Sequence, residues 1–114
     1  MNESYLYKYK AKVISVYDGD TITVDIDLGM GVWLKDQKIR LYGLNSPEVR
    51  GTERLDGLRS RYYLSQMIEG KMIVLETIKD SKGKYGRYLG NVWFEGNCLN
   101  DLMVEKGYAQ RKEY

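Results

Sequence analysis

Histidine is absent from this chain of 114 residues, and cysteine, proline and phenylalanine each occur once. Without histidine, a catalytic triad, an imidazole general base and a histidine-ligated metal are all excluded. The single Cys98 cannot form an intrachain disulfide and cannot build a zinc site. Any chemistry must therefore come from carboxylates, arginines, lysines, tyrosines and a hard cation.

Long apolar runs are also missing. The segment from Met1 to Lys8 lacks the apolar core of a signal peptide, and no stretch approaches the length of a membrane span. We therefore expect a cytoplasmic protein without membrane contacts. Because 43% of the residues are hydrophobic, the chain can form one core, and we expect a single domain over residues 1–114 that acts as a monomer.

Charge is nearly balanced, with a formal net charge of +2, so composition by itself does not indicate nucleic-acid binding. Its distribution says more. The stretch Asp18–Asp27 contains aspartates and no basic residue, whereas Lys and Arg outnumber Asp and Glu from Lys35 to Arg61. A cation site that faces a phosphate needs two such regions, although a charged surface also produces them by chance.

Hydrophobic periodicity predicts the element order β-β-β-α-β-β-α. Apolar residues alternate with polar ones from Ile22 to Leu28, which is typical of a strand with one buried face. Further strands are predicted over Tyr7–Val16, Val32–Leu34, Lys38–Tyr42, Met72–Ile78 and Tyr88–Phe94, with a polar loop over Asp80–Gly86.

Two helices are predicted between and after these strands. The first has an apolar face formed by Leu55, Leu58, Tyr62 and Ile68, and it ends near Gly70. The second presents Leu99, Leu102 and Met103 on one face and ends at Gly107. Short strands with inserted helices favour an antiparallel barrel of the α+β class, and an OB-like barrel fits best.

Three groups of residues could carry chemistry, and the first is Asp18-Gly19-Asp20-Thr21. Two carboxylates on either side of a glycine can converge on one hard cation, which prefers oxygen ligands. The same residues also suit an ordinary β-turn, in which Asp and Gly are favoured for local reasons.

The second group runs from Arg40 to Glu48. A guanidinium can hold two phosphate oxygens at once, and a glutamate beyond the break at Pro47 could position or deprotonate an attacking water. The alternative is a surface salt bridge of little consequence. In the short loop that follows, Arg50 and Arg54 are candidates for additional substrate contacts.

The third group is Lys82-Gly83-Lys84-Tyr85-Gly86-Arg87. Glycines allow close backbone approach, lysines can contact phosphates, and Tyr85 can stack on a base. A solvated basic hairpin loop is the alternative interpretation of the same residues.

In this order and with these separations, the three groups resemble the staphylococcal nuclease-like, or thermonuclease, family. The matching residues are Asp18-Gly19-Asp20-Thr21, Arg40-Leu41 with Ser46-Pro47-Glu48, and Lys84-Tyr85-Gly86-Arg87. Asn100 and the stretch Val104–Ala109 resemble the family's helix, so the resemblance extends from about Tyr9 to Ala109. It implies a five-stranded OB-fold barrel with two or three helices, a calcium ion (Ca2+) as cofactor, and DNA and RNA as substrates for hydrolysis.

The resemblance also implies a role for each matching residue. Asp20 corresponds to a direct calcium ligand, Asn45 takes the place of a second ligand carboxylate, and Ser46 would contribute its backbone carbonyl. Asp18 would stand behind these ligands without touching the ion.

The remaining matches imply roles in catalysis and substrate binding. Glu48 would hold or activate the water, while Arg40 and Arg87 would clamp the phosphate. Lys84 and Tyr85 would contact a neighbouring phosphate of the substrate. We expect Arg40, Glu48 and Arg87 all to be exposed, so that replacing them changes turnover and leaves the melting temperature almost unchanged.

Asn45 departs from the family pattern, which usually has an aspartate at this position. An amide oxygen can bind calcium, but the site then has one negative charge fewer. Asp25 or Asp27 compensates if either reaches the same end of the barrel; by alternation, both would otherwise face solvent. A nucleic-acid-binding OB module with little or no catalysis is therefore the alternative function. A protein-interaction barrel would leave the acidic turn and the basic loop unexplained.

Overall fold

The computed structural model of the chain describes residues 7–82 and 87–113, with only the backbone described for residues 79–82. The strands are β1 (Lys8–Asp18), β2 (Thr21–Gly29), β3 (Val32–Leu41), β4 (Leu44–Asn45), β5 (Met72–Lys82), β6 (Tyr88–Phe94), β7 (Asn97–Cys98) and β8 (Gln110–Arg111). The helices are α1 (Arg54–Ile68) and α2 (Leu99–Glu105), and a 3-10 turn over Gly51–Glu53 leads into α1.

Five of these strands form a closed barrel. Strand β1 lies between β2 and β5, with β3 beside β2 and β6 beside β5, and all four pairings are antiparallel. Strands β3 and β6 then close the barrel as a parallel pair, in which Arg40 lies opposite Leu89. The predicted α+β fold with a five-stranded OB-type barrel is confirmed. The expected antiparallel arrangement is wrong at the closing pair, because periodicity identifies strands but not their direction.

The barrel interior is filled by apolar side chains that alternate along the strands. Fully buried members include Val13, Ile22, Val24, Ile39, Leu41, Leu75 and Val92. Helix α1 adds Leu64 and Ile68, and α2 adds Leu99 and Met103. Since each such side chain stabilises the fold by about 1.5–3 kcal/mol on burial, this core gives the surrounding loops a rigid frame.

Asn100 is a buried polar residue that joins α2 to the closing strands. Its Oδ1 accepts a hydrogen bond from the Val92 N–H at 2.9 Å, and its Nδ2 donates to the carbonyls of Tyr42 at 2.9 Å and Gly90 at 3.1 Å. Tyr42 follows β3 and Gly90 lies in β6. One side chain therefore bridges both strands where the barrel closes, and all of its hydrogen-bonding groups are used.

Two predicted strand boundaries need correction. The predicted strands Val32–Leu34 and Lys38–Tyr42 are one strand, β3, which ends at Leu41; its polar middle is accommodated by an irregular pairing with β2 between Val24 and Ile26. Strand β5 continues to Lys82, so that the first residues of the predicted Asp80–Gly86 loop are part of a strand. In both places polar residues within a strand had the composition of a loop.

The apolar face predicted for the first helix is confirmed at Ile68, is half-buried at Leu58, and is wrong at Leu55 and Tyr62. Leu55 and Tyr62 are 71% and 66% exposed. The buried residues of α1 are Gly57, Ser60, Leu64 and Ile68. The first two buried residues, Gly57 and Ser60, are small rather than hydrophobic, because this part of α1 lies very close to neighbouring segments such as the backbone of Glu48. Within the described residues, no helix is long and apolar enough to cross a membrane.

Candidate active site

The turn between β1 and β2 holds two buried carboxylates. Asp18 and Asp20 are 9% and 6% exposed, and the Asp20 N–H donates a hydrogen bond to Asp18 Oδ1 at 3.1 Å. The Thr21 hydroxyl donates to Asp20 Oδ1 at 3.0 Å. An ordinary surface turn would leave such carboxylates in water. Burying two carboxylates side by side is costly unless positively charged groups are close. This turn is therefore a candidate functional site rather than an ordinary surface turn.

The two carboxyl groups have opposite pKa shifts. Burial, assisted by the hydrogen bond and charge of Asp20, raises the pKa of Asp18 to about 7. Burial also acts to raise the pKa of Asp20, but hydrogen bonds from Asp18 and the Ser46 N–H, together with the charge of Arg40, outweigh it and lower that pKa below its ordinary value. Asp20 is thus the ionised member at neutral pH, and an additional positive charge would favour ionisation of Asp18 as well.

Arg40 lies in β3 and binds Asp20 directly. Its Nη1 is 3.0 Å from Asp20 Oδ2, and the same nitrogen donates to the Leu44 carbonyl at 3.0 Å. Its Nη2 donates to Asn45 Oδ1. The Arg40 side chain is only 12% exposed, so both its predicted exposure and the surface salt-bridge alternative are wrong. The guanidinium is held in one orientation by several acceptors.

The segment after β3 brings Asn45, Ser46 and Glu48 to the same place. Strand β4 pairs with β8, with Asn45 opposite Gln110, and this pairing fixes the start of the segment. The Ser46 N–H donates to Asp20 Oδ2 at 2.9 Å, whereas the buried Ser46 Oγ has no hydrogen-bond partner among the described residues. Glu48 is exposed and lines the cleft above Asp20.

Helix α1 packs closely against the turn between β1 and β2 and against the segment that contains Glu48, through its small residues Ser60 and Gly57. A Cβ on Gly57 would lie 2.0 Å from the Glu48 carbonyl oxygen, and a Cβ on Gly19 would lie 2.8 Å from the Cβ atoms of Ser46 and Ser60. This contact was not predicted from the sequence. A glycine inside a predicted helix could have indicated it, because glycine there costs about 1 kcal/mol relative to alanine and is retained where close packing requires it.

Arg87 also reaches the acidic turn, at Thr21. It immediately precedes β6, and its Nη1 donates to Thr21 Oγ1 at 3.4 Å. Arg40 and Arg87 therefore reach adjacent residues, Asp20 and Thr21, from the two strands that close the barrel. Lys84 and Tyr85, which the sequence assigns to substrate binding, lie outside the described residues.

A broad open cleft of about 1590 Å³ connects these groups. Its lining includes all the described residues that the sequence analysis assigned to the site, namely Asp18, Asp20, Arg40, Asn45, Ser46, Glu48 and Arg87. Pockets for small molecules typically measure about 300–1,000 Å³, so the cleft has room for a polymer segment. Of the two arginines predicted in the loop after Glu48, Arg50 lies there and lines the cleft, whereas Arg54 is the first residue of α1 and is exposed outside the lining.

Asp25 and Asp27 do not contribute to this cleft. Asp25 accepts hydrogen bonds from Lys35 Nζ at 3.3 Å and the Asp36 N–H at 2.9 Å, and Asp27 accepts one from the Gly29 N–H at 2.8 Å. The idea that either replaces the missing charge of Asn45 is therefore wrong. Among the described side chains, those of residues 7–78 and 87–113, no three Asp, Glu or Cys residues are grouped as a metal site. A cation at Asp20 would need amide, backbone or substrate oxygens as well.

Comparison with known proteins identifies the family: the chain belongs to the staphylococcal nuclease homologues, whose model matches residues 38–114. Thermonuclease of Staphylococcus hyicus is 33% identical over 106 residues, which cover 90% of this chain and 59% of the relative. Thermonuclease of Staphylococcus intermedius is 31% identical over 115 residues, covering 98% and 61%. An endonuclease of Bacillus subtilis is 31% identical over 112 residues, covering 90% and 9%. The chain spans about three fifths of the length of the two thermonucleases.

Proposed function

We propose that this chain is a calcium-dependent nuclease that hydrolyses phosphodiester bonds of DNA and RNA. The observation that carries the proposal is that two arginines, Arg40 and Arg87, contact the adjacent buried residues Asp20 and Thr21 in one cleft with Glu48. Membership of the staphylococcal nuclease homologues and the names of the relatives, two thermonucleases and an endonuclease, support it.

The arginines supply the main stabilisation of the reacting phosphate. Attack of water on phosphorus increases the negative charge on the phosphoryl oxygens, and two fixed guanidiniums stabilise that charge more than they stabilise the substrate. Arg40 is already oriented by Asp20, the Leu44 carbonyl and Asn45, so little reorganisation is needed when the phosphate reacts.

Glu48 is the proposed base. Its carboxylate would accept a proton from the attacking water and hold that water in line with the leaving oxygen. The close contact of its backbone with Gly57 fixes the position of the residue in the cleft. Because every residue of the proposed site belongs to one chain, a monomer suffices.

The donor atoms around Asp20 suit a hard cation. Asp20 offers a buried carboxylate whose Oδ1 accepts the Thr21 hydroxyl, and the Asn45 amide and the Ser46 carbonyl offer uncharged oxygens nearby. A bound positive charge would reduce the energetic cost of burying the Asp18 and Asp20 carboxylates next to each other. Bound calcium would polarise the phosphate and neutralise part of its charge.

Cleavage assays test the proposal directly. Plasmid DNA, single-stranded DNA and RNA are each incubated with the protein in calcium or in excess chelator and analysed on gels. We expect cleavage of all three in calcium and none in chelator. Arg87→Ala should lower turnover by about 100-fold or more, as does the loss of a preorganised charge partner elsewhere, whereas the matched control Arg54→Ala should not.

Two results would overturn the proposal. Equal cleavage in chelator would remove the metal requirement. Tight binding without cleavage in calcium would favour the alternative, a nucleic-acid-binding module, for which the uncharged Asn45 is the supporting observation.

A further inference from the structure

We propose that Tyr17 and Arg50 form a subsite for one unpaired nucleotide of the substrate strand, with Tyr17 stacking on the base and Arg50 contacting a phosphate. This inference rests on the proposed function and adds a preference for single-stranded nucleic acid. Both residues line the cleft that contains Arg40, Glu48 and Arg87.

Tyr17 owes its position to a β-bulge. In the pairing of β1 with β2, Val16 lies opposite Ile22 and Asp18 lies opposite Thr21, so that Tyr17 is an extra residue on β1. A bulge turns a side chain away from the direction that strand alternation would give it, and bulges are common beside active sites. The Tyr17 side chain, adjacent to the buried Asp18, is 52% exposed in the cleft.

Arg50 retains an uncompensated positive charge. Its Nη2 donates a hydrogen bond to the Tyr17 phenol oxygen at 2.9 Å, and no carboxylate among the described side chains forms an ion pair with it. A phenol carries no charge at neutral pH. By contrast, Arg40, Arg59 and Arg111 all pair with aspartates. Arg50 is therefore available to a phosphate without first breaking an ion pair.

The hydrogen bond fixes the tyrosine ring and the guanidinium relative to each other. The two residues are 33 positions apart in the sequence and join β1 to the loop that follows Glu48. The bond uses the oxygen at the edge of the ring and so does not itself occupy an aromatic face, and about half of the Tyr17 surface is exposed. Ordering both groups before the ligand arrives lowers the entropic cost of binding.

This geometry selects a class of substrate. A base stacks on an aromatic side chain only when its own face is accessible, as in a single strand or an unpaired region. Every base has such a face, so the subsite should tolerate all four bases. A duplex could use Arg50 but not the ring of Tyr17.

Fluorescence anisotropy with a labelled 12-nucleotide single strand, about the length that such grooves bind, tests the subsite. The measurement is made in chelator at low salt, so that nothing is cleaved. Tyr17→Ala should weaken binding roughly 5-fold to 100-fold, the range expected for one lost stacking contact. Tyr17→Phe, which keeps the ring, should recover most of the affinity. Arg50→Gln should weaken binding and reduce the salt dependence by about one counterion.

Matched controls are available outside the cleft. Tyr62→Ala removes a tyrosine that is 66% exposed on α1, and Arg54→Gln removes the exposed arginine at the start of the same helix. Neither should weaken binding of the single strand. A matched duplex should lose little affinity on Tyr17→Ala. Circular dichroism melts verify that each variant is folded.

The proposal is overturned if the parent does not bind the single strand. It is also overturned if Tyr17→Ala behaves like Tyr62→Ala, or if single strand and duplex lose affinity equally. The failure of the nuclease proposal gives a different result: a parent that does not cleave in calcium but shows the Tyr17 and Arg50 effects in chelator retains the subsite.

Discussion

Replacing Gly57 by alanine should move Glu48. Although the substitution favours helix formation, we expect it to lower both the stability of the protein and its turnover. Alanine is the better helix former, so in an isolated α1 the change would stabilise the helix by about 0.5–1 kcal/mol. In the folded protein, however, the new Cβ would lie 2.0 Å from the Glu48 carbonyl oxygen, 2.4 Å from its carbon and 2.8 Å from the Val49 nitrogen. All three are backbone atoms, which cannot rotate away as a side chain can.

The size of the displacement follows from these distances. To bring the closest contact from 2.0 Å to beyond 3.0 Å, α1 and the Glu48 backbone must separate by about 1 Å. Overpacking of this kind costs about 1–3 kcal/mol, which exceeds the gain in helix propensity. We therefore expect the melting temperature to fall by roughly 5 °C. A misplacement of about 1 Å in a catalytic group can lower turnover by about 100-fold.

Three measurements on Gly57→Ala test this reasoning: the melting temperature, turnover in calcium, and affinity for an oligonucleotide in chelator. We expect turnover to fall much more than affinity, since Arg40 in β3 is not part of the displaced segment, whereas Glu48 is and Arg50 follows it closely in the chain. Gln66→Ala is the matched control, because it raises helix propensity at an exposed position of α1. A Gly57→Ala protein that melts at or above the parent temperature with parental turnover would refute the proposed contact.

Three further predictions concern the proposed site. Glu48→Ala should nearly abolish turnover with little change in melting temperature, because Glu48 is exposed; turnover within a few-fold of the parent would remove it from the mechanism. Arg40→Ala should abolish turnover and also destabilise the protein by about 3–5 kcal/mol, since it leaves Asp20 buried without its partner; an unchanged thermal melt would contradict the ion pair. Asn45→Asp should bind calcium more tightly in calorimetric titrations, because affinity rises with the number of charged ligands; unchanged or weaker binding would place Asn45 away from the ion.

The barrel could be predicted from the sequence because its strands alternate clearly. Ile22, Val24 and Ile26 form the predicted buried face, whereas Leu28 is 44% exposed at the strand end, and Gly70 and Gly107 lie just after the two helices. The residues of the proposed site could be named from the sequence as well, because ordered and spaced motifs can be recognised without knowing how the chain folds. Their roles stay predictions that the experiments above address.

Other features could not be predicted because they arise only from tertiary contacts. Nothing in the local sequence shows that Arg40 pairs with Asp20 rather than lying in solvent, or that burial raises the pKa of Asp18 to about 7. The bulge at Tyr17 depends on the register with a neighbouring strand. The buried face of α1 could not be predicted from hydrophobicity, because Gly57 is buried where a larger side chain would clash with the Glu48 backbone.

The parallel pairing that closes the barrel has a consequence for folding. Arg40 lies in β3 and Arg87 stands at the start of β6, so the two guanidiniums are brought together by the contact between strands that are far apart in the chain. Such non-local pairings require closure of a long intervening segment and tend to be slow. A partly folded chain that has formed only the β1–β2–β3 meander therefore has the acidic turn and one arginine, but no phosphate clamp. After dilution from denaturant, the return of the proposed nuclease activity should follow the slow phase that closes the barrel, and no cleavage is expected until that phase is complete.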